Sequence, residues 1–269
     1  MMPSRERSST SRILFAVFAV PALAGSPRLV HADDDDDVLD AKPPPSSASV
    51  ETGGFLASAL SASSEGRKGL VSVMGGWDRA RNGGVYDTAA QAQILGPVSL
   101  LAGASYDGPG TVASPHFELR LDALKQATHG LDMAVAAGYV DTGFNGVAAA
   151  TFKLALGRNV GATYLLSNVV YGQGLQDGER FGELRLAALY PLGHAASIGL
   201  DSRFQIDLER DNNEPVGETD WESRTGVVGS YTWNGIVLMS SAGVSALRLR
   251  AGGPTAVGPV VTAGFGTVF

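Results

Sequence analysis

Charged residues recur two apart along several stretches of this chain: Glu118, Arg120 and Asp122; Glu183 and Arg185; Asp201 and Arg203, followed by Gln205. Asp132 and Lys153 add single charges of either sign. A spacing of two puts the members of each set on one face of a β-strand. Opposite charges so placed can neutralise one another, or can present a polar wall to a passing ion or solute. Neither is bond-making chemistry. Nucleophilic catalysis needs a nucleophile and a base within hydrogen-bond reach, and the sequence argues for no such pair. His116 follows Ser114 and Pro115 with no asparagine close by, and His129 and His194 fall in predicted turns. No glycine-elbow serine motif and no zinc-protease helix motif occurs. Gly172-Gln173-Gly174 does not join a strand to a helix, so it is not a phosphate cradle. The segment Glu209-Arg210-Asp211-Asn212-Asn213-Glu214 lacks the glycine that a calcium loop needs for its sharp turn. The reading assigns no catalytic residue, no cofactor and no metal ligand.

The elements that must carry these charges are strands. Alternating segments fall at 68–77, 85–94, 98–106, 115–124, 131–139, 146–156, 160–170, 180–190, 195–206, 224–232, 236–246 and 257–269. In the ninth, Ile198, Leu200, Phe204 and Ile206 oppose Ser197, Gly199, Asp201, Arg203 and Gln205. In the fourth, Phe117, Leu119, Leu121 and Ala123 oppose His116, Glu118, Arg120 and Asp122. Connections after even-numbered strands are short and rich in hairpin residues, as in Leu95-Gly96-Pro97, Gly157-Arg158-Asn159 and Trp233-Asn234-Gly235. Those after odd-numbered strands are longer, from 78–84 up to 207–223, although 125–130 is no shorter than 140–145. Trp77, Tyr86, Tyr106, Tyr139 and Tyr171 mark strand ends on the long-loop side, and Tyr190, Tyr231, Trp233 and Phe269 mark the short-turn side. Phe152, Tyr164 and Phe265 read as mid-strand rings.

The last strand stops on an aromatic, with Phe269, Thr267, Phe265, Ala263 and Val261 alternating back from the end. With this ending, the strand lengths, the sorted connections and the aromatic strand ends, the sequence resembles the bacterial outer-membrane β-barrel family. The resemblance is architectural and covers residues 68–269. It implies an all-β fold, a closed antiparallel up-and-down transmembrane β-barrel of about twelve strands, placed in the bacterial outer membrane. It also implies two partners: outer-membrane lipids around the barrel, and the barrel-assembly machinery, which reads the strand ending in Phe269. One twelve-stranded family of such barrels comprises phospholipases with a Ser-His-Asn set; its His-x-Ser-Asn-Gly-like run is absent here.

The remainder is consistent with export. Arg5, Arg7 and Arg12 precede an apolar run from Ile13 to Ala24 that is too short to cross a bilayer, so residues 1–32 read as a signal peptide. The aspartates 33–37 and Pro43-Pro44-Pro45 cannot bury enough apolar area to order themselves, so 33–66 reads as an acidic, proline-rich periplasmic linker ahead of a barrel at 67–269. Phe55, Leu56, Ala59 and Leu60 lie at helical spacing and could form a plug or a loose arm. There are 0 cysteines, which excludes a disulfide framework, and the net charge of −7 with scattered basic residues excludes a nucleic-acid partner. The sequence sets no oligomeric state. Small inward residues, Ser72, Ala89, Ala134, Ala136, Gly138, Ala155 and Gly199, leave room inside the barrel. They favour a passive channel for small polar solutes or ions over a non-conducting barrel that presents its loops. An acidic fifth loop, rich in Asp and Glu from Asp207 to Glu222, would bias such a pore toward cations.

Overall fold

An alternating segment can satisfy its backbone only by pairing with another, and in a chain of such segments consecutive neighbours pair first. The computed structural model describes residues 69–106, 113–141, 148–176, 178–208, 219–249 and 254–268. The proposed signal peptide, linker and plug, and Phe269 with its proposed role in assembly, lie outside these residues.

Twelve strands follow one another: β1 (Gly69–Asp78), β2 (Gly83–Leu95), β3 (Val98–Tyr106), β4 (Ser114–Leu124), β5 (Asp132–Val140), β6 (Ala149–Val160), β7 (Thr163–Gly174), β8 (Arg180–Pro191), β9 (Ala196–Asp207), β10 (Thr219–Trp233), β11 (Ile236–Leu249) and β12 (Ala256–Val268). Each pairs antiparallel with its sequence neighbours, and β1 pairs with β12 from Leu70↔Val268 to Asp78↔Val260, so the sheet closes. Closure removes the exposed sheet edges that would otherwise template aggregation. The single helix among the described residues is α1 (Gln126–His129), which ends on Gly130 with φ of 75°.

Boundaries moved where local chemistry is ambiguous. Gly157-Arg158-Asn159 is not a turn. It continues β6, and the chain reverses at 161–162, where Gly161 takes φ of 60°. Gly157 serves packing instead, because a Cβ there would lie 2.2 Å from the Tyr164 hydroxyl. The turn at Asn234-Gly235 is as expected, with φ of 48° and 80°, the two positive values a tight hairpin demands. Strand β10 begins at Thr219 rather than at 224, which draws Glu222 out of the presumed loop and into the barrel. The first connection is only 79–82, because Trp77↔Gly84 and Asp78↔Gly83 extend the β1–β2 ladder. It is thus no longer than the turn-side link 192–195.

The outward rows are apolar and exposed. Phe117, Leu119 and Leu121 are 52%, 53% and 43% exposed, whereas Arg120 on the inward face is 7% exposed. This polarity is the reverse of a water-soluble antiparallel sheet, whose apolar face is the buried one. Among the described residues, charges on the outward rows sit near strand ends, at Arg158, Arg180 and Arg248. Aromatic rings gather at both rims, and Tyr86 stacks on Tyr106 with centroids 5.0 Å apart. Two rings read as mid-strand do not lie there. Phe152 sits opposite Tyr171 in the loop-side girdle, and Tyr164 opens β7 and points inward.

Candidate functional site

The lumen has two zones. Toward the turns it is apolar: Ala134, Ala155, Tyr164, Leu166, Ala187, Leu189 and Val228 form one buried cluster, and Met74, Val237 and Met239 another. Above it, toward the loops, lie most of the charges.

All ten residues proposed for the lumen are on inward-facing positions of their strands, and none stands alone. Glu118 on β4 forms an ion pair with Lys153 on β6. The strand between them, β5, presents Gly138 opposite Glu118 and Ala136 opposite Lys153. The small residues therefore make way for an ion pair to bridge over β5 rather than for open space. Arg120 holds Asp122, two positions along the same face, at 2.7 Å. Asp132 accepts the backbone N–H of Gln126 at 2.6 Å and the Tyr164 hydroxyl at 3.2 Å. The Gln126 side-chain oxygen in turn accepts the N–H of Asn159 at 2.8 Å, so α1 is tied to the end of β6.

The opposite wall carries a longer network. Register sets Arg185 on β8 directly against Arg203 on β9, a repulsive pairing on its own. Glu183 resolves it by pairing with both guanidinium groups, with Arg203 at 2.8 Å. Arg203 also donates to Gln205 at 2.7 Å and lies 3.5 Å from Glu222 on β10. Glu222 pairs with Arg81 from the β1–β2 turn. Signs alternate without interruption from Arg185 through Glu183, Arg203 and Glu222 to Arg81. Asp201, opposite Ala187 and diagonal to Arg185, adds a further buried acid. Beside this chain, Asp78 pairs with Arg224 at 3.2 Å and accepts the Ser245 hydroxyl at 2.5 Å.

Asp78, Arg81, Glu222 and Ser245 were not among the expected lumen residues. Three of them were legible in principle. Asp78 continues the inward parity of Ser72 and Met74, Glu222 precedes Arg224 by two, and Ser245 follows Met239 by an even step. Asp78 and Glu222 were hidden by their apparent position in loops, and Ser245 by the irregular alternation of segment 236–246. Arg81 carries no such signal, because it lies in a turn.

Among the described residues no group of three or more His, Asp and Glu is arranged to hold a metal ion. His116 faces inward beside Gly103, where a Cβ would meet its Nε2 at 2.6 Å. Carboxylates already engaged by guanidinium or ammonium partners hold charge in place. Such groups can screen and guide a permeant, whereas a nucleophile or base must be freed from its partner to react.

No family model matches the chain, and no curated protein matches it. Solved structures do. A NanC porin structure superposes with a TM-score of 0.53 at 9% sequence identity, covering 74% of this chain and 99% of that chain. The outer membrane channel DcaP of Acinetobacter baumannii overlaps more loosely, with a TM-score of 0.40 at 10% identity over 70% of this chain and 63% of its own. An anion-selective porin from Comamonas acidovorans gives a TM-score of 0.36 at 13% identity over 68% of this chain and 59% of its own. At these identities the likeness is one of fold, and only the first superposition is close enough to carry weight. The chain is a closed, twelve-stranded antiparallel barrel similar in fold to the NanC porin.

Proposed function

We propose that this chain is an outer-membrane barrel and acts as a passive channel for small polar solutes or ions. The observation that carries the reading is the inverted polarity of a closed sheet: exposed Leu, Val, Phe and Ile outside, charged and hydroxyl side chains inside. A barrel with that distribution belongs in hydrocarbon, where closure satisfies every backbone group and the outer rows need no protein cover. Outer-membrane lipids are then its surrounding partner. The lumen alternates acids and bases, which suits weakly selective passage rather than tight binding of one charge sign. Non-enzymatic function agrees with the ion-paired state of Glu118, Asp122, Glu183 and Glu222.

A second reading, a non-conducting barrel that presents its loops, is favoured by the same ion pairs and by the apolar cluster around Tyr164, Leu166 and Leu189. Conductance separates the two. The refolded protein, its folding verified by heat-modifiable gel mobility, is added to a planar bilayer. Discrete current steps support the channel. A folded, inserted barrel that yields none establishes the second reading.

A further inference from the structure

The β1–β2 turn at 79–82 does not extend the sheet outward. Asp78, 0% exposed, shapes it by accepting the N–H groups of Ala80 at 2.9 Å and Arg81 at 3.3 Å. The same carboxylate reaches Ser245 on β11 and Arg224 on β10. The N–H of Arg79 donates to the Pro259 carbonyl of β12 at 2.9 Å. Arg81 pairs with Glu222 on β10. In the closed order β10 is three strands from β1, which is about 14 Å of wall at the usual strand spacing. The Arg79 bond only continues the β1–β12 register, but a turn standing above the rim would not bring Arg81 to lumen-facing Glu222.

Gly258 makes the bend possible. It faces inward on β12, and a Cβ there would lie 2.5 Å from the Cβ of Arg79 and 3.0 Å from the Ala80 nitrogen. The stem of the Arg79 side chain, with the Ala80 backbone nitrogen behind it, thus occupies the space that a side chain at 258 would fill. The turn covers Glu222, Arg224 and Ser245, which are 3%, 6% and 3% exposed. Its exposed side is polar, with the Arg79 guanidinium donating to Asn82 at 3.2 Å.

We infer that this infolded turn, seated on Gly258 and latched by Asp78–Arg224 and Arg81–Glu222, is the loop-side constriction of the lumen, and that the exposed guanidinium of Arg79 is the group a solute meets there. The inference rests on the channel reading, but the seat of the turn can be tested without it. The chain has 0 cysteines, so an Arg79→Cys/Gly258→Cys pair is the only thiol pair present. The two Cβ positions are closer than the roughly 3.8 Å that a disulfide spans, so a shift of about an ångström suffices. Mild oxidation of the folded barrel should crosslink the pair, read as loss of free thiol. In a second variant, Arg81→Gln, Glu222 keeps Arg203, so the barrel is retained while the latch is weakened; single-channel conductance should rise above that of the unmodified protein. A folded double-cysteine barrel that keeps both thiols free overturns the inference, whatever the conductance. So does a crosslink accompanied by an Arg81→Gln conductance equal to the unmodified protein's, zero included. Failure of the channel reading itself shows separately, as an unmodified protein that never conducts.

Discussion

Replacement of Leu119 by arginine asks what solvent touches the outer rows. Leu119 is the sixth residue of the 11-residue strand β4, five residues from either end. At about 3.4 Å of rise per residue and a tilt near 40°, five residues project to roughly 13 Å along the barrel axis. That is half of an apolar band about 25 Å tall, so Leu119 sits at its midplane. An arginine at that depth costs about 2–4 kcal/mol, falling to about 0–1 near the interface. Leu192, in the link 192–195 and 60% exposed, is the interfacial control. In water both substitutions would be surface changes worth about 0.5 kcal/mol or less, since Leu119 is 53% exposed. The assay is denaturant unfolding of the protein refolded into phospholipid vesicles, followed by tryptophan fluorescence. Leu119→Arg should lower the unfolding free energy by about 1–4 kcal/mol more than Leu192→Arg. Equal stabilities for the two variants would refute the assignment of the outer rows to hydrocarbon.

Two further substitutions probe the interior. Glu183→Gln removes the acid shared by Arg185 and Arg203; Glu183 is 4% exposed at its side chain but the arginines are 22% and 19% exposed. Breaking a fully buried pair costs about 3–5 kcal/mol, and hydration of the two guanidinium groups should reduce this to about 2. The vesicle unfolding assay reads that loss, and in a conducting barrel the reversal potential in a salt gradient should move toward anions; an unchanged midpoint would mean the pair contributes nothing to the fold. Gly157→Ala places a methyl 2.2 Å from the Tyr164 hydroxyl and should cost about 1–3 kcal/mol of overpacking. Adding Tyr164→Phe should restore part of it, despite losing the hydrogen bond to Asp132, and no recovery in the double variant would place the strain elsewhere.

The strands, and the face on which each charge lies, were readable from the chain because period two is a local property. Glu118, Arg120, Lys153, Glu183 and Asp201 all face inward as the alternation of their own segments requires. Turn chemistry was less decisive. Asn234-Gly235 marks a true hairpin, whereas Gly157 resembles a turn residue and is instead a packing vacancy for Tyr164, a residue seven positions on. The acidic stretch that ends at Glu222 reads as a loop, because charge density alone does not distinguish a solvated lid from a strand whose acids point into a polar lumen.

The sequence by itself determined an all-β chain of twelve alternating segments and the polarity of each face. Backbone sterics impose that alternation within a few residues, without reference to the rest of the molecule. Tertiary structure alone decided which charges meet. Glu118 finds Lys153 over β5, Glu183 gathers two arginines, and Arg81 reaches Glu222 only because the barrel closes and its first turn bends inward. Apart from Glu183 and Arg185, which share one strand face, those partners are far apart in the chain, and register, closure and the missing side chain at Gly258 bring them within Coulombic reach, none of which any single segment encodes.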